Sequence, residues 1–402
     1  MTTLAEPAER VPARWTALLS LAGVGLFTAF YGPIQVLLGL QVQELHPENK
    51  ELVLGLVVGF GAAVSMVANP LFGAISDRTT WRRGRRLPWT AFGAAGGAVS
   101  LVILAAAPNI AMMVVGWALA QLTLNAMFAA LVAAIPDQVP VVQRGAVGGW
   151  FGAGQTIGIV AGAGLADAVG GISVGYLVCA AFLLVATVPY LWLRRDTVIE
   201  ARAPFEWRAF WISPRRNPDF GWAWLTRFLM NLGNAIAIVY LLYFLQDAVG
   251  YPDPRRGVFV LTGIYAVTLL STVVIGGVWS DRVGRRRVFV MWSGIVMSVA
   301  AVLLAVFPTW PGALAAAAVL GLGFGVYTSV DFALMTEVLP SADDRGKDLG
   351  VINVANALPQ VLAPVLAGPI VAYLGGYPVL YGLAAAVGIA GAVLVYRIRS
   401  VV

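Results

Sequence analysis

Apolar runs of roughly 20 residues recur from one end of this chain to the other, each long enough for a helix to cross the hydrocarbon core of a bilayer. Twelve candidate spans can be counted, at residues 15–40, 52–74, 87–107, 110–134, 145–166, 174–193, 220–246, 257–279, 287–307, 311–337, 348–374 and 377–397. Of the 402 residues, 59% are hydrophobic and 11% charged, whereas a soluble domain carries about 25% charged residues. The strands of a membrane barrel would instead be short alternating segments, so the expected fold is an all-α integral membrane protein. The first run is too long for the apolar core of a signal peptide and no small-residue cleavage site follows it. It therefore reads as the first span.

Charge sets the expected orientation. With the N-terminus inside, all but four of the 26 Lys and Arg residues fall in internal loops or tails; Lys50, Arg255 and Arg256 lie outside and Arg227 within the seventh span. Both termini are thus expected on the cytoplasmic side of a cell membrane, plasma or inner. The formal net charge of +6 is dispersed between apolar spans, which argues for orientation rather than nucleic-acid binding. One cysteine, Cys179, sits in an apolar run, and one histidine, His46, sits in the polar stretch "HPENKE". Neither a disulfide nor a metal site can be assembled from them, and no cofactor is expected. No glycine-rich phosphate cradle lies between a strand and a helix.

The two halves repeat. "GAISDRTTWRRGRR" (73–86) after the second span is echoed by "GVWSDRVGRRR" (277–287) after the eighth. "PDQVPVVQRG" (136–145) after the fourth is echoed by "TEVLPSADDRG" (336–346) after the tenth. Two loops recurring in the same order at nearly the same offset imply a parallel duplication of six spans. The expected organisation is a first bundle at 1–193, a cytoplasmic linker at 194–219 and a second bundle at 220–402. Trp207, Phe210 and Trp211 in the linker suit anchoring at a membrane surface.

Twelve spans, a G-x-x-x-D-R-x-G-R-R loop after the second and eighth, and matching loops after the fourth and tenth resemble the major facilitator superfamily over nearly the whole chain. The first loop is longer than that pattern, with five residues between Arg78 and Gly84, and is similar to the loop of the glycoside, pentoside and hexuronide cation symporters and plant sucrose carriers. "DDRGKDLGVINVANALPQVLAP" adds to the likeness to that branch. The resemblance implies two pseudo-symmetric six-helix bundles, alternating access, and a loop that latches the cytoplasmic side of the outward-facing state. The gate candidates it marks are Gly73, Asp77, Arg78, Gly84, Arg85, Arg86, Arg144, Gly277, Asp281, Arg282 and Arg285. Arg144 and the segment from Asp348 to Gly350 are the expected neighbours of Asp77, and Gly73 is expected to allow a close helix approach.

Polar side chains inside a bilayer are costly, so they face other helices or a water-filled cavity. Spans 3, 6, 9 and 12 carry no amide or charged residue in their apolar runs. The cavity candidates lie on the others: Tyr31 and Gln35 on span 1, Gln121 and Asn125 on span 4, Gln155 on span 5, Asn231 and Asn234 on span 7, Tyr327 on span 10, and Asn353, Asn356 and Gln360 on span 11. Many of them recur at spacings of three or four and so share a helix face. Amides and aromatic rings suit a polyhydroxylated ligand, although hydrogen bonding between helices would use the same residues.

Two charges stand apart. Arg227 and Asp331 lie at similar depths from the same side, roughly 10 and 9 Å at 1.5 Å per residue, and either alone would be expensive there. An Arg227–Asp331 ion pair, direct or water-bridged, is therefore expected. Asp331 is also the candidate coupling group, because a carboxylate deep in a bundle can gain or lose a proton according to whether a guanidinium stands beside it. Gly148, Gly152, Gly154 and Gly158 on span 5 form small-xxx-small pairs for close helix packing. Pro33, Pro359 and Pro364 are expected bend points.

The leading reading is a secondary transporter working by alternating access, with proton-coupled movement of a sugar or glycoside implied by the resemblance. Its expected partners are a small-molecule substrate, protons and the bilayer, and it is expected to act as a monomer. Proton-driven efflux of a drug or small apolar metabolite is the alternative, and a membrane sensor on the same fold is the reading outside transport. An enzyme is not expected, since no nucleophile, base and metal set is present.

Overall fold

The computed structural model describes residues 7, 9–82, 84–193, 196, 218–337 and 345–399. The described residues form twelve long helices: α1 Ala13–Leu45, α2 Pro47–Asp77, α3 Leu87–Ala105, α4 Ile110–Gln138, α5 Val141–Ala168, α6 Ile172–Trp192, α7 beginning at Pro218–Val239, α8 Pro254–Val283, α9 Arg286–Val306, α10 Trp310–Glu337, α11 Arg345–Tyr373 and α12 Gly376–Leu394. Helix α7 continues past a 43° bend at Tyr240 through Leu241–Ala248. Ten of the twelve carry a stretch long and apolar enough to cross a membrane, and α7 is an eleventh if its two pieces are one span. Helix α5 is the exception, for it holds eight glycines together with Gln143, Arg144, Gln155 and Asp167. Its length is that of a span, but glycine contributes little apolar surface.

Apolar residues cover the outer faces. Val67, Val99, Val185, Val267 and Val306 are each at least 60% exposed, as suits a lipid-facing surface and not a water-facing one. The helix starts follow local chemistry. Asn109 accepts from the Met112 N–H at 2.9 Å to begin α4, and Asp253 accepts from the Arg256 N–H at 3.2 Å to begin α8, with Pro254 at its first position. Pro33 opens a π-helical turn at Pro33–Leu37 in α1. A second π-helical turn, Phe244–Ala248, lies in α7 without a proline inside it.

Contacts divide the chain into two units, one from the described residues of 1–45 and 63–205, the other from those of 46–62 and 206–402. In the first unit α5 packs against α1 through glycine. A Cβ on Gly158 would lie 2.7 Å from Val24 O and Phe27 Cβ, and one on Gly154 would lie 2.8 Å from Ser20 O. Thr28 Oγ1 donates to Gly158 O at 3.2 Å across the same contact. The expected glycine role divides here, because a Cβ on Gly148 or Gly152 would meet nothing within 4 Å. In that region Phe151 makes the contact with α1, its ring lying against Gly23.

In the second unit Met230, Met297, Tyr327, Leu334 and Ala392 form a core between α7, α9, α10 and α12. The N-terminal part of α2 belongs to this unit. Tyr240 OH donates to Glu51 O, and a Cβ on Gly55 would lie 2.6 Å from Pro364 O. Most of the expected linker, including Trp207, Phe210 and Trp211, lies outside the described residues, as do the loop around Pro340 and the side chains of Asp281, Asp348 and Asn353.

Candidate functional site

In the second unit α7, α10 and α11 bring the polar residues of the seventh, tenth and eleventh spans together. Arg227 Nη1 lies 2.7 Å from Asp331 Oδ2, with the two side chains 13% and 7% exposed. The expected ion pair is therefore direct. Arg227 Nε donates to Asn356 Oδ1 at 2.9 Å, and Asn231 Nδ2 donates to the same oxygen at 3.3 Å and to Arg227 O at 2.9 Å. Spacing explains the cluster: Arg227 and Asn231 are one turn apart on α7, and Tyr327 and Asp331 one turn apart on α10. Tyr327 is buried, and its ring packs with Phe324, which lies beside Tyr265. Asn234 is buried too, and its Oδ1 has no hydrogen-bond partner among the described residues. Gln360, further along α11, is exposed.

The first unit gathers amides without a charge. Asn125 Nδ2 donates to Gln121 O at 2.7 Å and to Gln121 Oε1 at 3.2 Å, and Asn69 Nδ2 reaches Asn125 Oδ1 at 3.5 Å. Asn69, on α2, joins the row without having been marked by the sequence; it precedes Pro70, and Asn-Pro reads as a turn signal even where a helix continues through it. Gln35 stands on the π-helical turn of α1, its buried Oε1 without a partner among the described residues. The Tyr31 ring lies tilted by 38° against Phe27, with centroids 6.4 Å apart, and Gln155 on α5 is half-buried.

The gate candidates of the first loop form an ionic knot around Asp137, a residue in the quoted "PDQVPVVQRG" that sequence reasoning had not singled out. Arg85 grips Asp137 with both Nε, at 2.9 Å, and Nη2, and Arg86 Nε adds a third donor at 2.6 Å. Arg86 also donates through Nη1 to Ser76 Oγ and through Nη2 to Asp77 Oδ1. Burial works against the charge on Arg86, but Asp137 and Asp77 outweigh it and hold the guanidinium above its ordinary pKa. Asp196 Oδ2 accepts from the backbone N–H groups of Arg86 and Leu87, both at 2.7 Å, which caps α3 with a carboxylate where the helix dipole favours one. Gly84, at φ +101°, makes this possible, because a Cβ would overlap the Asp196 carboxylate.

Of two expectations for this loop, one is sharpened and one corrected. Arg144, expected as a neighbour of Asp77, gives its hydrogen bonds to backbone carbonyls, whereas Asp77 meets Arg86. Arg144 donates to Val139 O at 2.9 Å and Pro136 O at 3.0 Å, where the end of helix α4 leaves open carbonyls. Gly73 makes no close helix approach, since a Cβ there would meet nothing within 4 Å, and at Gly277 it would meet only Ser329 at 3.6 Å. In the second loop Gly284 ends α8 at φ +66°, Arg282 and Arg285 are exposed, and Arg287 Nη1 donates to Ile398 O at 2.6 Å.

A further cluster gathers around Lys50, which the sequence places outside the membrane, and Asp247, just past the seventh span. Lys50 Nζ lies 2.6 Å from Asp247 Oδ1 and 4.8 Å from the centre of the Tyr243 ring, and Tyr377 OH donates to Asp247 Oδ2 at 2.8 Å. With Tyr240 on Glu51 O, it fastens the start of α2 to α7 and α12.

The model of the Major Facilitator Superfamily matches residues 15–274 and 257–401 of this chain. A probable 4-methylmuconolactone transporter of Cupriavidus pinatubonensis (strain JMP 134 / LMG 1197) is 32% identical over 165 residues, a stretch that spans 40% of this chain and 37% of that relative. A crystal structure of a single-substitution mutant of the nucleoside transporter NupG superposes with a TM-score of 0.78 at 14% identity, covering 96% of this chain and 99% of the other. At that identity the likeness is one of fold. Repeated loops, twelve long helices among the described residues and a family match over nearly the full length converge: the chain belongs to the Major Facilitator Superfamily and is a multi-pass membrane transporter.

Proposed function

We propose that this transporter works by alternating access between bundles at 1–193 and 220–402 and couples the movement of a small polar organic solute, a sugar or glycoside first among the candidates, to protons. The observation that carries the reading is the buried one-to-one pair of Arg227 and Asp331. Protonation of Asp331 would release the guanidinium to the substrate, and loss of that proton would return it to the carboxylate. Asn231, Asn234 and Asn356 around the pair supply the paired donors and acceptors that ring hydroxyls need, and Gln35, Gln121 and Asn125 give the first unit amides of the same kind. The partnerless buried oxygens of Gln35 and Asn234 support this, because a buried polar atom without a partner costs about 1–3 kcal/mol until a ligand or water meets it.

A second reading, carriage of a small lactone, is favoured by the 4-methylmuconolactone relative, since a lactone carbonyl would accept from Arg227. Efflux of an apolar drug fits less well with a charge pair ringed by amides. The Asp77 loop is proposed as a cytoplasmic gate, with both termini on that side of the cell membrane. The test is uptake into proteoliposomes, with and without an inward proton gradient, of labelled mono- and disaccharides, nucleosides and 4-methylmuconolactone. Accumulation of one sugar class only with the gradient is expected. Silence on every sugar overturns the leading substrate, and uptake indifferent to the gradient overturns the coupling.

A further inference from the structure

The guanidinium of Arg227 is held differently at its two ends. Nε donates to Asn356 Oδ1 at 2.9 Å, and Asn231 Nδ2 donates to the same oxygen at 3.3 Å. Nη1 lies 2.7 Å from Asp331 Oδ2, yet it makes no aligned hydrogen bond to any described residue. The amide thus sets the position of the guanidinium whatever the state of Asp331, and Nη1 still has N–H groups to satisfy. We propose that the transported solute is a small hydroxylated monocarboxylate whose carboxylate takes the place of Asp331 on Arg227. This rests on the reading above, in which a proton on Asp331 releases the guanidinium, and narrows the solute within it.

Charge balance requires the anion. Once Asp331 is neutral, Arg227, 13% exposed, is a buried cation facing amides, a costly state until a negative charge arrives. No other acid pairs with Arg227 among the described residues. Helices α8 and α9 meet α10 at Gly321, Gly323 and Gly325 through Tyr265, Thr268, Leu269, Thr272, Ser293 and Met297, none of them charged, and Tyr327 is the titratable neighbour of Asp331 on its own helix. A neutral sugar would accept from the guanidinium and leave its charge unbalanced. A carboxylate balances the charge and matches the planar fork with two parallel bonds. The hydroxyl follows from Asn234, two turns beyond Arg227 on α7 and about 10 Å along the axis, whose buried Oδ1 accepts from no described residue. An acceptor there suits a hydroxyl donor and repels a second carboxylate. Exchange of one carboxylate for another keeps the site neutral, because proton and anion enter together. Accumulation is then driven by the pH gradient and indifferent to membrane potential, whereas a neutral solute moving with one proton would carry a positive charge across.

The test uses the full-length protein and pairs of probes that differ by a carboxylate in place of a hydroxymethyl group: gluconate with sorbitol, lactate with propane-1,2-diol, and mandelate with 1-phenylethane-1,2-diol. Binding is read by titration calorimetry in neutral detergent at a mildly acidic and a mildly alkaline pH. At least one acid should bind about tenfold tighter than its neutral counterpart, and tighter at the acidic pH. Asp331→Asn removes the internal competitor, so it should bind that acid equally well at both pH values. Arg227→Gln with Asp331→Asn, which strands no charge, should bring acid and neutral counterpart level. In proteoliposomes, uptake of the acid should follow the proton gradient and ignore a potassium diffusion potential. Failure of every acid to bind overturns the proposal, as do neutral counterparts that bind as tightly as their acids or a preference for the acid that survives the double variant. Accumulation of a neutral solute with the proton gradient overturns this inference alone and leaves coupled transport standing. An acid bound through Arg227 but taken up without regard to the gradient overturns the coupling and leaves the carboxylate site standing.

Discussion

Two buried ionic sites differ in how many partners each charge has. In the second unit one carboxylate, Asp331, faces one guanidinium, Arg227, and the remaining ligands are neutral amides. At the α2–α3 turn, Asp137 holds two guanidiniums, while Asp77, Ser76 and Asp196 engage the same pair of residues or their backbone. A one-to-one pair has two states, together or apart, and a single proton selects between them. A knot with several redundant bonds stays tied when any one of them is lost. The first is built to switch and the second to hold. The largest expected effect follows: Asp331→Asn should abolish gradient-driven accumulation while sparing substrate exchange across proteoliposomes at equal pH. Accumulation that persists in this variant would make the pair a static bridge.

The next effects are on stability. Arg227→Gln leaves a carboxylate buried without its cation, which costs about 3 kcal/mol. Adding Asp331→Asn should recover most of the lost melting temperature, because two neutral groups of similar shape are less expensive than one stranded charge. If the double variant melts lower than the single, Asp331 is no stranded charge in Arg227→Gln, and the loss in that variant comes from the Arg227–Asn356 hydrogen bond or from packing instead. Asp137→Asn removes the carboxylate from three of the knot's bonds at once and leaves Arg86 with Asp77 and Ser76 but Arg85 without its acid, so it should cost about 3 kcal/mol at most, read as a lower melting temperature of purified protein.

The ion pair was legible because depth along a helix follows from counting residues, so two charges on different spans could be set at one level before any contact was known. The repeat made the two-half fold legible in the same way. Pairings across loops were not. Asp137 and Asp196 are close in space to Arg85 and Arg86 but 51 and 110 residues away from Arg86 in the chain, and no periodicity connects them. Lys50 reads as an external loop charge and Asp247 lies just past the seventh span, and only the fold puts them 2.6 Å apart. The bonds of Arg144 were not legible either, because charge complementarity in the sequence ignores the backbone carbonyls that a helix end leaves open. The glycines of α5 look alike in the chain, yet α1 lies close against only Gly154 and Gly158 of the two pairs, so their different packing is a tertiary fact.

The smallest effect on stability is expected where the gate has its most prominent residue. Asp77 is 56% exposed and meets one nitrogen of Arg86, whose other nitrogens already reach Asp137 and Ser76. An exposed ion pair contributes about 0–1 kcal/mol, so Asp77→Asn should shift the melting temperature by little. Conformation is a separate matter, because a population changes fivefold for about 1 kcal/mol when the two states differ in that one bond. Spin-label distances across the ends of the bundles should therefore move toward the inward-open state in Asp77→Asn while the melting curve stays nearly fixed. A shifted distance distribution with unchanged stability is the signature of a gate residue. If distances and melting temperature are both unchanged, Asp77 only follows Arg86, and Asp137 carries the function of the knot.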